Sequence, residues 1–532
     1  MKQKIASLLE EILQIENIVL ETPKNKDFGH YATPVAFSLA KTLRKAPKVI
    51  AEDLSSKLNQ SELFTKAEPI NGYINLTLSN EFLDSTASTS LTNKQDFAKA
   101  NNQESILLEY VSANPTGPLH IGHARGAVYG DTLYRVGKHL GFDIKSEYYV
   151  NDAGSQISML GLSIYLSIKS QNHEDVTYPE EYYKGEYIDD LAELAKKKFP
   201  SELLKDENCI NELASWGKDE MLTLIKNNLS EAKIEFDSFI SEKEIQPKFN
   251  EIFKLLEKNS FKKDDKVWLK SSEFGDERDR VIIREDGRPT YLAGDIVYHH
   301  EKYKRNFDHY INIWGADHHG YIPRVRAAIN YMGFDEKQLE VILCQMVSLL
   351  KDAKPYKMSK RAGNFITMSD VIEEIGSDAL RFIFLSKKVD THLEFDINTL
   401  KAQDSSNPVF YINYAHARIN QIIDKSEFKE NEFETCEITT TNKDALDLLF
   451  LALGLEDVLL NAFSSRELQK IHEYLYSLAS SFHKFYNKHQ IIGSEEEKQL
   501  LKIITVVSLS IRTGLSLIGI EAKTKMYKEK ND

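Results

Sequence analysis

The chain reads Ile106-Leu107-Leu108-Glu109-Tyr110-Val111 and then Ser112-Ala113-Asn114-Pro115-Thr116-Gly117-Pro118, an apolar run followed by a loop of turn-forming residues. A helical pattern extends from Gly122 to Leu140, and a second strand-like run follows at residues 146–150. Strand, loop, helix and strand in this order form a βαβ unit, in which the two strands are parallel. The sequence therefore predicts a Rossmann-like, parallel-sheet domain around this stretch.

The loop leads into His120-Ile121-Gly122-His123, at the start of the predicted helix. The carboxyl end of a parallel strand and the N-terminus of a helix form a natural phosphate site, because free backbone N–H groups and the helix dipole favour anions there. Gly122 has no side chain and would let a nucleotide approach the backbone. His120 and His123, one helical turn apart, could contact the same phosphates or ring. Two ordinary surface histidines at a helix start are the alternative.

A second basic motif, Lys357-Met358-Ser359-Lys360, lies far downstream and is followed by Arg361. Cations in a loop can embrace a triphosphate and stabilise the charge that develops on phosphoryl oxygens during transfer. Alone, such a tetrad is more often a solvated surface loop. Paired with the His-x-Gly-His motif upstream, it indicates an ATP site.

Composition is that of a soluble globular protein, with 532 residues of which 42% are hydrophobic and 28% charged. At roughly 150 residues per domain, three or four domains are expected. The formal charge of −14 argues against a protein that coats nucleic acid by bulk charge, but it leaves room for local basic patches.

The cysteine spacing and the lack of a recognisable signal peptide or membrane span predict a cytoplasmic protein. The three cysteines are far apart and form no Cys-x-x-Cys, so neither a disulfide framework nor a structural zinc site is expected. Residues 1–14 lack the pattern of a signal peptide. The most apolar late stretch, residues 503–520, is interrupted by Arg512 and is too polar for a membrane span, so no membrane association is expected.

Pattern changes along the chain predict three domains. Residues 1–100 form a small α+β domain, which a Ser/Thr/Asn-rich run at residues 85–102 would link to the next. Residues 101–370 form the parallel-sheet catalytic domain, with a charged, largely helical insertion at about residues 155–275. Residues 371–532 read as an all-α helical bundle. The predicted fold class is α/β multidomain.

With both motifs intact, the chain resembles the class I aminoacyl-tRNA synthetases, and more narrowly the arginyl-tRNA synthetases. The segments that carry the narrower resemblance are residues 112–126, 149–154 (YVNDAG), 314–320 (WGADHHG), 378–381 (DALR) and 411–418 (YINYAHAR). The resemblance covers nearly the whole chain. The tail at residues 522–526 departs from the usual Pro-Glu-Arg-Met ending of that family.

The resemblance implies an ATP-dependent attachment of L-arginine to tRNA(Arg) through arginyl-adenylate, with Mg²⁺ assisting. It also implies a monomer in the cytoplasm. His120 and His123 would hold ATP near its α-phosphate, and Lys357 and Lys360 would stabilise the leaving pyrophosphate; these four are the candidate catalytic residues. The candidate ATP-binding set is His120, Gly122, His123, His318, Lys357, Met358, Ser359 and Lys360. No metal-ligating residue is assigned, since His318 and His319 have no acidic or Cys partner at a suitable spacing.

Selectivity for arginine requires carboxylates, because the guanidinium group is a planar cation best matched by bidentate acceptors. Tyr291 and Asp295 are four residues apart and would share one face if this stretch is helical. The resemblance implies that Asp295 binds the guanidinium beside Tyr291, with Glu109 as a second candidate acid. Loop residues would hold the α-amino and carboxylate groups. The candidate arginine-binding set is Glu109, Ser112, Asn114, His123, Asn151, Tyr291 and Asp295.

Two regions are candidates for tRNA contact. Lys41, Arg44 and Lys45, with Lys48 beside them, form a basic group in an otherwise neutral first domain, although charge runs are usually solvated faces. The resemblance also points to residues 29–31 there. In the last domain Tyr411, Tyr414 and Arg418 share a helix face and, with His416, could stack on anticodon bases, although core packing explains such tyrosines equally well.

Three alternatives stay open at this point. Another class I synthetase such as the cysteinyl enzyme would have the same motifs, although it usually carries zinc-ligand cysteines. A His-x-Gly-His nucleotidylyltransferase would be much smaller. A non-catalytic tRNA-binding paralogue would be expected to have lost its catalytic motifs.

Overall fold

The computed structural model describes residues 1–356, 366–402 and 406–526, and the side chain of Lys26 is left out of the description. The chain forms two compact units. One contains residues 1–100 together with the chain after residue 402, and the other contains residues 101–402.

The first hundred residues form a three-stranded antiparallel sheet with four helices. The sheet has the strand order β1-β3-β2. The elements are α1 (Lys2–Leu13), β1 (Tyr31–Thr33), α2 (Val35–Leu43), α3 (Pro47–Leu58), β2 (Phe64–Ile70), β3 (Tyr73–Leu78) and α4 (Asn80–Thr92). The predicted small α+β architecture is present.

Helix α4 includes residues 85–92 of the run at residues 85–102 that was predicted to be a linker, so the prediction was wrong for that part. Leu83, Ala87 and Leu91 recur every four residues and are buried, which gives the helix an apolar face. Ser79 caps its N-terminus by accepting a hydrogen bond from Phe82 N (3.2 Å). Four Ser and Thr hydroxyls of this run donate to the carbonyl oxygen four residues earlier. Their polarity is thereby satisfied inside a helix.

The second unit is built on a five-stranded parallel sheet with the order β11-β10-β4-β5-β6. Its first part contains β4 (Ser105–Glu109), α5 (Ile121–His139), β5 (Asp143–Val150), α6 (Ser155–Gln171), α7 (Glu186–Lys198), α8 (Ile210–Glu231) and β6 (Ser238–Ser241). The predicted strand–loop–helix–strand unit is therefore confirmed. The stretch predicted as a helical insertion is interrupted after α8, where β6 returns to the sheet and pairs with β5.

The chain continues through a second, antiparallel sheet before it re-enters the parallel one. The elements are α9 (Glu242–Ile245), α10 (Phe249–Leu256), β7 (Ser260–Lys263), β8 (Lys266–Leu269), β9 (Arg280–Ile283), α11 (Tyr291–Tyr303), β10 (His309–Gly315), α12 (Ile322–Tyr331) and β11 (Leu339–Cys344). The predicted strand at residues 280–284 is thus β9, which pairs with β8 in the antiparallel sheet.

A small third sheet follows β11 in the same unit, with the order β13-β12-β14. Its elements and the adjoining helices are β12 (Val347–Lys351), β13 (Lys354–Pro355), α13 (Met368–Ile375), α14 (Ser377–Phe384), β14 (Leu393–Asp396) and α15 (Ile397–Lys401). Strand β14 lies in a stretch that was predicted to be all-helical, and residues 371–402 belong to the same compact unit as the parallel sheet. The division into three domains at residues 100 and 370 stays a prediction.

The last part of the chain, which belongs to the first unit, is helical. Its elements are α16 (Pro408–Lys425), α17 (Glu430–Glu434), α18 (Lys443–Leu453), α19 (Leu455–Ser465), α20 (Gln469–Lys488) and α21 (Glu497–Leu517). Helix α21 is long and apolar enough to cross a membrane by composition, but most of it is buried inside the protein. It is accordingly a core helix of this bundle.

Within the first unit, the helices of the bundle pack against the first hundred residues. The Lys502 ammonium is buried and donates to Asp84 Oδ1 (2.6 Å) and Ser88 Oγ (2.8 Å) of α4. The ring of His30 stacks on Phe450, and Tyr31 OH donates to Asp457 Oδ2 (3.1 Å). His30 and Tyr31, which were candidates for tRNA contact, therefore contribute to packing inside this unit.

Candidate active site and its family

The first motif lies at the N-terminus of α5. His120 is the N-cap residue, and its Nδ1 accepts a hydrogen bond from Gly122 N (3.1 Å). Its ring stacks on that of His123, with 3.6 Å between the ring centroids. A side chain at Gly122 would place a Cβ 2.9 Å from Cε1 of His120. The glycine therefore makes room for this imidazole, in addition to the nucleotide approach expected from the sequence.

Both imidazoles of the motif are neutral at pH 7. Burial lowers the pKa of His120, and burial together with the neighbouring His120 lowers the pKa of His123 to about 3. Nδ1 of His120 accepts a hydrogen bond, so its proton is on Nε2. Nδ1 of His123 is buried and receives no hydrogen bond from any residue that the structure describes. The helix N-terminus and these neutral rings together form a site suited to an anion.

The second motif falls outside the described residues, so the positions of Lys357, Met358, Ser359 and Lys360 are not described. The segment that follows it pairs with the first motif. Ile121 N donates to Ile366 O (2.9 Å), and Met368 N donates to Leu119 O (2.8 Å). Thr367 forms an antiparallel β-bridge with His120. The chain leaving the second motif is thereby attached to the first.

Two carboxylates lie together near the start of α11 and are called here the acid pair, Asp295 and Glu242. Tyr291, half exposed at 50%, begins the helix, and Asp295 lies one turn later and accepts a hydrogen bond from Tyr321 OH. Glu242 follows β6 and is 6% exposed. Its Oε1 lies 2.5 Å from the position that a Cβ on Gly294 would take, so only glycine leaves room for it there.

Both carboxyls of the acid pair have raised pKa values. Burial, with the charge of Asp295 next in importance, raises the pKa of Glu242 to about 7. Burial likewise raises the pKa of Asp295 to about 7, although the hydrogen bond from Tyr321 opposes the shift. One oxygen of Glu242, Oε2, is buried without a hydrogen-bond partner among the described residues. A pocket of this kind favours a cationic ligand.

Glu109, the second candidate acid, already has a cationic partner. Its Oε2 accepts a hydrogen bond from the ammonium of Lys302, which is 1% exposed, and its Oε1 accepts from Ser112 Oγ (2.9 Å). Lys302 also donates to Asn312 Oδ1 (2.8 Å). Glu109 is thus held inside a hydrogen-bonded network, whereas no Lys, Arg or His side chain among the described residues forms an ion pair with Asp295 or Glu242.

The loop after β4 is held in an unusual backbone conformation. Val111 and Ser112 have φ angles of 71° and 44°, in the left-handed region that non-glycine residues rarely adopt. Ser112 Oγ accepts from Tyr149 N (3.2 Å) while it donates to Glu109. Further along, Asn114 Nδ2 donates to Gln156 Oε1 (2.6 Å). Ser112 therefore orients the loop, and Asn114 lies on it with a defined side-chain position.

Asn151 and Asp152 follow β5 at the carboxyl edge of the same sheet. Asn151 is partly exposed there. Asp152 is buried and accepts from Ser241 Oγ (2.9 Å) and Lys243 N (3.0 Å), so it ties the end of β5 to the end of β6.

His318 lies in a short helical turn after β10, again at the carboxyl edge of the sheet, with an exposed side chain. This position is compatible with the expected adenosine contact. Within the described ranges, no group of three or more His, Cys, Asp or Glu side chains could hold a metal ion.

The basic group of the first domain is exposed at the end of α2. Lys41, Arg44 and Lys45 all face solvent. The same sheet and helices carry two exposed aromatic residues that were not predicted as candidates, Phe37 (45% exposed) and Tyr73 (38%). Their rings contact each other edge to face, with 5.3 Å between the ring centroids. Their signal in the sequence was weak because single aromatic residues usually belong to a core.

Tyr411, Tyr414 and Arg418 lie on one face of α16 and meet α20. The ring of His483 stacks on Tyr414 (5.7 Å between centroids), and the guanidinium of Arg418 lies over Tyr414 (4.5 Å) and Tyr486 (5.1 Å). His416, which was grouped with these residues, is buried on the opposite side. Its Nδ1 lies 3.0 Å from Lys523 O, and Asn413 Oδ1 accepts from Lys523 N (2.8 Å).

These last contacts explain how the atypical tail is accommodated. Both of them involve the backbone of residue 523, and its side chain takes no part in either. A different tail sequence can therefore use the same attachment to α16.

Three family models match the chain. The model for the class I (R) tRNA synthetase catalytic domain matches residues 86–425, the arginyl tRNA synthetase N-terminal domain matches residues 1–78, and the DALR anticodon binding domain matches residues 412–526. The chain belongs to the arginyl-tRNA synthetase family. The predicted family and enzyme class are confirmed, and the cysteinyl and non-catalytic alternatives are not favoured.

Known arginyl-tRNA synthetases are similar over the full length. An arginine–tRNA ligase from a Nitratiruptor species is 58% identical over 528 residues, which is 99% of this chain and 100% of that protein. The arginine–tRNA ligase of Campylobacter jejuni is also 58% identical, over 530 residues, with the same coverage. A crystal structure described as an arginyl tRNA synthetase from Campylobacter jejuni is 59% identical, with a TM-score of 0.82, and the match covers 84% of this chain and 100% of that one.

A more distant synthetase shows how widely the fold is shared. The arginyl-tRNA synthetase of Thermus thermophilus is 20% identical, with a TM-score of 0.77 and coverage of 99% of this chain and 100% of that one. At this identity the comparison speaks for the fold alone, and it supports the predicted class of a parallel-sheet domain with an N-terminal domain and a helical C-terminal domain.

Glu242 is the residue of this synthetase site that the sequence analysis missed. It lies in a charged stretch that was assigned to a helical insertion, where one more glutamate carries no signal. The run Asp237-Ser238-Phe239-Ile240-Ser241 was the available clue, because a short strand there places the next residue at the carboxyl edge of the sheet.

Proposed function

We propose that this chain attaches L-arginine to tRNA(Arg) in two steps. The arginine carboxylate attacks the α-phosphorus of ATP, which releases pyrophosphate and forms arginyl-adenylate. A terminal ribose hydroxyl of the tRNA then attacks the mixed anhydride, giving arginyl-tRNA and AMP. The observation that carries the proposal is the acid pair in the same unit as an anion-binding helix N-terminus.

The acid pair would bind the guanidinium group of arginine. Asp295 and Glu242 supply bidentate acceptors of the kind that a planar, five-donor cation requires. Among the described residues neither member of the pair forms an ion pair, whereas Glu109 is paired with Lys302. Tyr291 would line the pocket, and Ser112, Asn114 and Asn151 would surround the α-amino and carboxylate groups.

ATP would bind at the N-terminus of α5. The neutral ring of His120, with its proton on Nε2, would donate to an α-phosphate oxygen, and His123 would lie beside the arginine carboxylate and the same phosphate. Gly122 leaves the helix terminus open, and His318 would contact the adenosine. Lys357 and Lys360, with Met358 and Ser359 between them, would neutralise the leaving pyrophosphate.

Mg²⁺ would arrive bound to the phosphates of ATP. The described residues offer no cluster of three or more acidic, His or Cys side chains to hold the ion. We therefore assign it no protein ligand and no step.

Two surfaces would contact tRNA(Arg). Arg418 and the tyrosines at positions 411 and 414 offer a guanidinium and rings for unstacked anticodon bases, and this helix lies in the match to the anticodon binding model. Lys41, Arg44 and Lys45 would contact phosphates elsewhere on the tRNA, beside the exposed rings of Phe37 and Tyr73.

A monomer in the cytoplasm, acting without a membrane, completes the proposal. The three cysteines are free, as a reducing compartment requires.

The decisive experiment is ATP–pyrophosphate exchange with each amino acid in turn, with and without tRNA, followed by charging of tRNA(Arg). In the presence of tRNA, we expect arginine and no other amino acid to support exchange. We also expect arginine to become attached to the tRNA. Exchange with cysteine or another amino acid, or no exchange with arginine in the presence of tRNA, would contradict the proposal. A negative result without tRNA would not, because activation in this family usually needs tRNA.

The acid pair predicts how arginine binding depends on pH. With pKa values of about 7, the carboxyls of Asp295 and Glu242 are largely protonated at pH 6 and largely ionised at pH 8. Arginine remains cationic across this range, so its KM should fall about tenfold or more from pH 6 to pH 8 as the pocket ionises. Steady-state charging at saturating ATP measures the profile.

Glu242→Gln serves as the matched control for this profile, because it removes one titrating group and keeps the volume. The KM for arginine of this variant should change less between pH 6 and pH 8. In both proteins the KM for ATP should not show the fall that is expected for the KM for arginine. An arginine KM that stays constant from pH 6 to pH 8 would show that the acid pair does not bind the guanidinium.

A further inference from the structure

Asn114 is held at the edge of the site by one side chain from the insertion. Its Nδ2 donates to Oε1 of Gln156, at 2.6 Å, and Gln156 is the second residue of α6. No residue that the structure describes forms a hydrogen bond to the other end of the amide, Asn114 Oδ1. Asn114 is only partly buried, so its carbonyl oxygen is open to solvent and accessible to a ligand.

The backbone around Asn114 is fixed independently of Gln156. Tyr148, fully buried, donates its hydroxyl to Ala113 O (2.8 Å), and Thr116 N donates to Asn114 O (2.8 Å). Tyr187 packs against Gly117, with its hydroxyl oxygen 3.4 Å from the position that a Cβ there would take. The loop keeps its path without Gln156, whereas the rotation of the Asn114 amide has no other constraint from a described side chain.

We infer that Gln156 is a positioning residue for arginine, which turns the Asn114 amide so that its oxygen faces the α-ammonium group of the substrate. An amide presents a donor on one side and an acceptor on the other, and a half-turn exchanges them. In the structure the Oε1 end of the Gln156 amide faces Asn114, so it holds Nδ2 of Asn114 and leaves Oδ1 for a cationic donor. A turned amide would instead present an NH₂ group to the α-ammonium, which repels it.

This inference rests on the proposed function, in which Asn114 contacts the α-amino group of arginine. It concerns a different end of the substrate from the acid pair, so it makes separate predictions. Loss of Gln156 should weaken recognition of the α-ammonium and leave the guanidinium contacts and the ATP site unchanged.

The test compares Gln156→Ala, Asn114→Ala and the double variant in steady-state charging of tRNA(Arg) with saturating ATP. We expect Gln156→Ala to raise the KM for arginine about tenfold, the scale of one hydrogen bond to a charged group, with kcat and the KM for ATP little changed. The double variant should be no worse than Asn114→Ala, since Gln156 acts only through Asn114. Ser158→Ala, an exposed position on the same helix, is the control and should behave like the unmodified protein.

Two further measurements separate positioning from a general structural role. Gln156→Glu keeps an acceptor at the same place, so it should restore the KM for arginine to within about threefold of the unmodified value. Deaminoarginine, which is arginine without its α-amino group, should inhibit Gln156→Ala and the unmodified protein with equal affinity.

Additive effects of the two substitutions, failure of Gln156→Glu to restore the KM, or weaker inhibition of Gln156→Ala by deaminoarginine would each overturn the inference while the charging activity still stands. An unchanged KM in Asn114→Ala would also overturn it, together with the assigned role of Asn114. Failure of the proposed function itself is recognised separately, as absence of arginine charging by the unmodified chain.

Discussion

Asp295→Asn is expected to lower kcat/KM for arginine by roughly 100- to 1,000-fold. Removing one partner of a desolvated, hydrogen-bonded charge pair costs about 2–5 kcal/mol, and each 1.4 kcal/mol is a factor of ten. Asparagine is nearly isosteric and can still accept the hydrogen bond from Tyr321, so the change removes the charge with little alteration of shape. Steady-state charging at saturating ATP measures the loss, which should lie mainly in the KM for arginine.

The matched control for Asp295→Asn is Glu285→Gln, which removes an exposed carboxylate outside the site. It should leave kcat/KM for arginine within about twofold, since surface charges contribute little. Discrimination gives the sharpest readout, because the acid pair is the proposed reason that arginine is preferred to lysine. An Asp295→Asn protein that still selects arginine over lysine as strongly as the unmodified chain would rule out this pocket.

His120→Asn is the second large effect, and it should lower kcat for arginine activation by roughly 100- to 1,000-fold. The expected loss is that of one preorganised donor to an oxygen on which charge develops. Asparagine is among the best N-cap residues, so the start of α5 should be preserved while the Nε2–H donor disappears. ATP–pyrophosphate exchange in the presence of tRNA measures kcat, and thermal unfolding checks that stability is retained.

His120→Ala separates the two functions of this residue, hydrogen-bond donation to the phosphate and capping of α5. It removes the donor and the cap together, so it should match His120→Asn in kcat and in addition lose about 1 kcal/mol of stability. Because the pKa of His120 is lowered by burial, the ring acts in its neutral form, and raising the pH above 7 should not abolish its contribution. A His120→Asn protein with an unchanged kcat would show that the ring does not contact the reacting phosphate.

Local pattern predicted the elements on which the site is built. The apolar run before the loop became β4, the helical spacing after it became α5, and His120 became the cap of that helix. Tyr291 and Asp295 were expected to share one face if their stretch was helical, and α11 is a helix there. These features depend on neighbours within a few residues, so the periodicity of side chains is sufficient to find them.

Features that depend on distant parts of the chain were missed. The run of Ser and Thr at residues 85–92 forms a helix because its few apolar residues find partners in a core. Strand β14 exists because β12, far earlier in the chain, pairs with it. Neither partner is visible from the local sequence, since strand pairing and burial are decided by tertiary contacts.

The same distinction divides the site. The sequence motifs pointed to His120 and His123 and to the family, and the resemblance to that family then implied Asp295, with Glu109 as a second candidate acid. The sequence could not show that Lys302 forms an ion pair with Glu109, that Glu242 lies near Asp295, or that Gln156 forms a hydrogen bond with Asn114. Each of these pairings joins residues from separate elements. Whether a carboxylate or an amide is free to bind a substrate depends on which side chains the fold brings within hydrogen-bond distance of it.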